Sequence, residues 1–285
     1  MRKGVNQWCF PADWTVERML TEVAKAGFEG VELNLSEAAG DNHSALVKSL
    51  GLKDANGLTT TSTTADARAI AARAKELGLT IPSLSTALHW QYPLTDPGEG
   101  RKGREIVRRM LQLAEAAEAG AILVVPGLVT EAVSYDAAYD RAAEALTELA
   151  AEAKAHNVII GVENVWNKFL LSPLEFRRFL DDVGTDWVKA YFDVGNVLVN
   201  GFPDQWIRIL GSRLARVHVK DFRQSVGNIH GFAPLLDGDV NWPAVRQALR
   251  DVHYSGFVSV EVPPPAHFPE AALRQAAQAL DLILA

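Results

Sequence analysis

The chain has 285 residues, of which 48% are hydrophobic and 22% charged, enough apolar material for a large buried core beneath a hydrated surface. Its 35 acidic against 28 basic residues leave a net charge of −7, which argues against nucleic acid as the main partner, since phosphate binding needs an excess of Lys and Arg. Cys9 is the only cysteine, which excludes an internal disulfide and a cysteine-rich zinc site and fits a cytoplasmic location. MRKGVNQWCF lacks the apolar run of a secretory signal, and no stretch is apolar enough to suggest a membrane partner.

In chain order, short β-branched runs alternate with amphipathic stretches. The spacing predicts strands near 4–9, 30–35, 81–87, 121–126, 157–164, 188–194, 214–220 and 256–262. Val16, Met19, Leu20 and Val23 recur at helical spacing after the first, and Ala142, Ala145, Leu146 and Leu149 after the fourth. AKAGFEG, AKELGLT and AEAGAIL each put a Gly where a left-handed residue would end a helix. Ser172, Pro173 and Glu175 supply an N-cap, a first-turn proline and a capping acid. Eight βα units in one domain, 1–285, predict an α/β fold, a single (β/α)₈ TIM barrel. Segment 36–63, rich in Ser, Thr, Asn and Gly, breaks the rhythm and is expected to be a long loop on the catalytic rim.

Alternation along each strand then assigns its faces. In NVIIGVEN, Val158, Ile160 and Val162 face the helices and Glu163 faces the barrel axis. By the same rule Tyr191 and Asp193, His218, and Ser259 and Glu261 point inward from the last three strands. Three carboxylates converging inside a barrel would repel one another unless a cation joined them. With one imidazole they form a donor set for a divalent metal ion: Mn²⁺, Mg²⁺ or Co²⁺, with Zn²⁺ also admissible. The carboxyl ends of the strands are also where active sites of this fold lie.

GVENVWNKFLLSP, YFDVGN, RVHVKDF and GFVSVEV resemble the sugar isomerase/epimerase superfamily with a xylose-isomerase-like barrel, over nearly the whole chain to Glu261. The pattern is most similar to L-ribulose/L-xylulose 5-phosphate 3-epimerases and proteins called hexulose-6-phosphate isomerases. The resemblance implies that Glu163, Asp193, His218 and Glu261 are metal ligands, with Glu163 and Glu261 also the acid/base pair. Asn196 stands where ketohexose 3-epimerases carry a His, as in the phosphopentulose branch, which His89 in ALHWQYPL also resembles. LLDGDVNW occupies the place of that branch's Gly-Glu-Gly turn, where Asp237 and Asp239 disfavour a phosphate dianion.

The expected activity is metal-dependent sugar or sugar-phosphate epimerisation or isomerisation through an ene-diolate, chiefly 3-epimerisation of a ketose or ketose phosphate. Alternatives are an inosose dehydratase-type lyase and a metal-dependent endonuclease; a multi-zinc endonuclease cluster needs more imidazoles at strand ends than seven histidines provide here. Trp8, Glu32, His89, Asn196, Lys220 and Arg223 are the candidate contacts to the sugar substrate. Glu32 has a second reading, as a structural partner for a cation. Asn164 and Trp166 could shape the pocket and His230 close over it. Barrels of this type suggest a homodimer or homotetramer.

Overall fold

The computed structural model describes residues 1–37 and 57–285. Eight parallel strands form the sheet: β1 (Arg2–Asn6), β2 (Gly30–Ser36), β3 (Leu84–Thr86), β4 (Ala121–Val124), β5 (Ile159–Glu163), β6 (Val188–Asp193), β7 (Leu214–Val219) and β8 (Phe257–Val260). Each pairs with its neighbour, and β1 pairs with both β2 and β8, so the sheet closes into a barrel. Among the described residues, eight α-helices surround it: α1 (Val16–Ala26), α2 (Thr64–Glu76), α3 (Gly100–Ala116), α4 (Tyr135–His156), α5 (Pro173–Val183), α6 (Pro203–Leu210), α7 (Trp242–Asp251) and α8 (Pro269–Leu284). This is the (β/α)₈ architecture that the alternation predicts.

The main core lies between barrel and helices. Val158, Ile160 and Val162, Ala190 and Phe192, Val217 and Val219, and Val258 and Val260 all join it, as the period-two pattern requires. Inside the barrel a smaller cluster, Leu123, Val125 and Tyr191, fills the axis. In α1, Met19, Leu20 and Val23 are buried, and Thr15 caps its first turn by accepting from Arg18 N at 3.2 Å.

The helix ends show where local sequence is decisive. Gly27 and Gly78 are left-handed, at φ 85° and 75°, as predicted. After α3 the left-handed residue is Glu118, at φ 57°, and not the expected Gly120. The helix stops two residues earlier than the glycine suggests, and a Cβ at Gly120 would lie 3.0 Å from the Arg216 guanidinium, so that glycine serves a close approach. At α5, Ser172 Oγ accepts from Glu175 N at 3.2 Å, while the Glu175 carboxylate accepts from Leu171 N at 2.9 Å, one residue before the cap.

Most of segment 36–63 lies outside the described residues. Of the rest, Leu58–Thr59 forms a short parallel strand beside the end of β2, and Thr63 with Asp66 makes a complete capping box for α2. β1 also ends sooner than expected: Asn6 Oδ1 accepts from Trp8 N at 2.7 Å and caps a 3₁₀ turn, Gln7–Cys9. Trp8 therefore sits on a turn above the strand.

Candidate metal centre

Glu163 ends β5, Asp193 ends β6, His218 is the penultimate residue of β7, and Glu261 follows β8 directly. Parallel register pairs Asp193 with His218, His218 with Ser259 and Glu163 with Tyr191, so Asp193 and His218 are direct neighbours, while Glu163 pairs two residues before Asp193 and Glu261 lies two residues beyond Ser259. One potential ligand atom from each of Glu163, Asp193, His218 and Glu261 lies within 4.8 Å of the others. His218 Nδ1 is 3.5 Å from Glu163 Oε1 and 3.7 Å from Glu261 Oε2.

Asp193 and the backbone at Glu261 are held by their surroundings. Asn164 Nδ2 donates to the Asp193 carbonyl and its Oδ1 accepts from Asp193 N, both at 2.9 Å, joining the ends of β5 and β6. Asn196 N donates to Asp193 Oδ1 at 2.6 Å, which leaves Oδ2 for another partner. Asn196 Nδ2 donates to the Asn164 carbonyl at 2.9 Å, and the Asn196 carbonyl accepts from Trp166 Nε1 at 2.8 Å. Glu261 N donates to the Val219 carbonyl, and the Cys9 thiol bonds the flanking Val260 carbonyl and Val262 N, each at 3.3 Å.

Lys220 enters the same group. Its Nζ lies 2.5 Å from Glu261 Oε2 and 3.2 Å from Asp193 Oδ2. Burial opposes its charge, but Asp193, Glu261 and Glu163 outweigh that and raise its pKa. Burial, reinforced by the charge of Glu261, pushes the Glu163 carboxyl up to about 7, and burial likewise raises that of Asp193. One ammonium thus leaves the carboxylates under-compensated. His218 Nδ1 and Asp193 Oδ2 are buried with no hydrogen-bond partner, an arrangement rare for polar atoms in a folded interior. An imidazole nitrogen without a hydrogen bond and a carboxylate oxygen with only the Lys220 ammonium beside it, facing two further carboxylates, fit a divalent cation.

Below this layer lies Glu32, fully buried. It accepts from Asn6 Nδ2 at 2.5 Å, from Ser83 Oγ at 2.8 Å and from the Tyr191 hydroxyl, and His218 Nε2 approaches its oxygens at 3.1 and 3.2 Å. Burial alone would raise its pKa, yet His218 and these donors hold the carboxyl down to about 2. Asn6, Ser83 and Tyr191 were not singled out from sequence as partners of Glu32, although alternation places Tyr191 inward.

The other candidate residues divide. Trp8 Nε1 and both ring nitrogens of His89 are buried without hydrogen-bond partners, and burial pushes the His89 imidazole down to about 4. Asn196 is committed to the backbone of the site. Arg223 is exposed on the loop after β7 and its Nε donates to the Asp237 carbonyl at 3.0 Å. His230 is exposed on a short turn, Ile229–Gly231. Asn164 and Trp166 line a cavity of about 220 Å³ with Lys168, Leu171, Val199 and Trp206, but none of the four clustered ligand residues does.

Asp221, next to Lys220, is a feature that the sequence reading passed over. Its carboxylate accepts from Phe222 N (2.9 Å), Leu236 N (3.0 Å), Val240 N (3.1 Å) and Trp242 Nε1 (2.9 Å), folding the LLDGDVNW loop back onto β7. Gly238 permits this contact, since a Cβ there would fall 2.2 Å from Asp221 Oδ1.

The architecture has relatives. A protein of Escherichia coli (strain K12), whose assigned name, L-ribulose-5-phosphate 3-epimerase SgbU, is itself provisional, is 25% identical over 202 residues, 66% of this chain and 68% of that one. A D-psicose 3-epimerase of Enterocloster bolteae is 29% identical over 126 residues, 42% of this chain and 39% of the relative. Among solved structures, a D-psicose 3-epimerase crystallised in the presence of D-fructose superposes with a TM-score of 0.76 at 19% identity, covering 100% of this chain and 99% of the other. The IOLI protein with a bound zinc atom superposes at 0.78 and 16% identity, covering 100% and 98%. Residues 20–283 match the xylose isomerase-like TIM barrel family, and the chain belongs to it.

Proposed function

We propose that the protein is a metal-dependent 3-epimerase of a ketose or ketose phosphate, with Glu163 and Glu261 as its acid/base pair. The observation that carries this reading is the convergence of Glu163, Asp193, His218 and Glu261 within 4.8 Å at the carboxyl end of the barrel. The names of the relatives, sugar 3-epimerases, support it, and zinc in one structural neighbour supports a metal. A divalent ion (Mn²⁺, Mg²⁺, Co²⁺ or Zn²⁺) held by these residues would supply Lewis-acid polarisation of the ketose carbonyl and its neighbouring hydroxyl, making the C3 proton acidic.

The residues of the chain do the rest. Glu163 and Glu261 approach from the ends of β5 and β8, three strands apart around the barrel. One removes the C3 proton and the other returns a proton to the opposite face of the ene-diolate, inverting that carbon. The raised pKa of Glu163 suits a group that must both take and give a proton near neutrality. Trp8 Nε1 and the His89 ring nitrogens, buried and unpartnered, are available to sugar hydroxyls. Lys220 keeps Glu261 and Asp193 in place and limits the negative charge around the substrate.

The test is NMR in D₂O with the Mn²⁺-loaded protein and D-fructose, D-tagatose, L-ribulose and L-ribulose 5-phosphate as substrates. One of them should invert at C3 and take up deuterium there without loss of water. Glu163→Gln and Glu261→Gln should each keep the fold and lower turnover by a factor on the order of 10² or more. Unchanged rates in both variants would end the acid/base assignment, and net loss of water from an inosose would select the dehydratase reading.

A further inference from the structure

Glu32 has no atom exposed to solvent, and a carboxylate so buried is tolerated only when its oxygens are well satisfied. Asn6, Ser83 and Tyr191 each donate to it, leaving His218 Nε2 as the remaining contact, 3.2 Å from Oε1 and 3.1 Å from Oε2. An ionised carboxylate only accepts, so the proton of this contact belongs to Nε2. In a neutral imidazole the lone pair then lies on Nδ1. That nitrogen faces Glu163 and Glu261 and has no hydrogen-bond partner.

A second restraint keeps the ring in this orientation. The Tyr191 ring packs edge-on against the imidazole, with centroids 4.6 Å apart and planes at 61°. Tyr191 itself crosses the barrel axis over Gly161, where a Cβ would lie 2.8 Å from Tyr191 Cδ2 and 3.1 Å from the Ile122 carbonyl oxygen. Strands β1, β2, β5 and β6, with Ser83 just before β3, therefore all contribute to how one ring on β7 is presented.

We infer that Glu32 is a positioning residue: it holds the Nε2–H of His218 so that Nδ1 is the nitrogen offered to the metal ion. This rests on the metal reading of the site and extends it to a residue outside the ligand set. Glu32 does not touch the sugar in this account; it acts through His218.

The experiment measures binding of Mn²⁺ to metal-stripped protein by isothermal titration calorimetry, without sugar, for the unaltered chain, Glu32→Gln and Ser83→Ala. Glu32→Gln keeps the side chain's shape and removes its charge, and should weaken Mn²⁺ binding about 10–100-fold. Ser83→Ala deletes a donor to the same carboxylate, one that also bonds the Tyr191 hydroxyl at 2.9 Å, but keeps the charge of Glu32 and its contact with Nε2, and should lose clearly less affinity than Glu32→Gln. Nitrogen-15 spectra of the unaltered protein loaded with Zn²⁺ give an independent reading, valid even where Glu32→Gln does not fold. They should show His218 Nε2 protonated and Nδ1 ligated. Unchanged affinity in Glu32→Gln, an equal loss in Ser83→Ala, or ligation through Nε2 would overturn the inference while leaving the metal site standing. Failure of the unaltered protein to bind either ion would remove the metal reading and this inference with it.

Discussion

Replacing Lys220 with Met separates the roles of lysine and metal, because it deletes one cation from a site that a second cation can enter. The Nζ atom lies 2.5 Å from Glu261 and 3.2 Å from Asp193, and the side chain is 13% exposed, so in metal-free protein both carboxylates lose their nearest positive charge. Breaking a buried pair in this way costs about 3–5 kcal/mol, because the partners stay desolvated. For a chain of 285 residues the unfolding entropy is about 0.6 kcal/mol/K, so metal-stripped Lys220→Met should melt roughly 5–8 °C below the unaltered protein. Added Mn²⁺ supplies the missing charge, and the gap should narrow. By linkage the variant should then bind Mn²⁺ more tightly, tenfold for each 1.4 kcal/mol, roughly, that the ion restores. Calorimetric melts with and without Mn²⁺, together with a binding titration, measure both effects. Equal melting temperatures in the metal-free proteins, or weaker Mn²⁺ binding by the variant, would refute the view that ammonium and metal ion share one cluster of negative charge.

Two further outcomes are expected from the same reasoning. Asp221→Ala leaves four donors without their acceptor, at about 1 kcal/mol or more each, so urea unfolding should show a loss of roughly 4 kcal/mol; a loss below about 1 kcal/mol would mean that the LLDGDVNW loop does not depend on this carboxylate. His89 is held neutral by burial, which lowers its pKa from 6.5 to about 4, while the unfolded chain takes up a proton near 6.5. Its contribution to stability is therefore complete above that pH and is lost as pH falls toward 4, about 3 kcal/mol in all. Urea melts of His89→Asn and the unaltered protein between pH 7 and 4 should show a flatter acid slope in the variant; parallel curves would contradict it.

Much of the barrel is legible in the chain because its two periodicities are clean. Val158, Ile160 and Val162 alternate with Ile159, Gly161 and Glu163, so the facing of Glu163 follows from the valines, and the same holds for Asp193, His218 and Glu261. What local pattern conceals is cross-barrel contact. Nothing near Glu32 in sequence shows that Tyr191, 159 residues later, reaches across to it, or that Gly161 is small to let that ring pass. Lys220 reads from sequence as a candidate contact to the sugar, and only the fold turns it toward Glu261 and Asp193. Glu118 taking the left-handed position instead of Gly120 is a similar case, decided by where α3 stops packing and by Arg216 above the glycine.

The central claim is that four side chains from four strands share one ion. Equilibrium dialysis of metal-stripped protein against Mn²⁺, with metal counted by mass spectrometry, tests it most directly when the unaltered chain and Asp193→Asn are compared. Asp193 is the choice because its Oδ2 is buried without a hydrogen bond, and the substitution preserves shape. The account predicts one tightly held ion per chain, and its loss in the variant. No bound ion, or the same occupancy in both proteins, would contradict it.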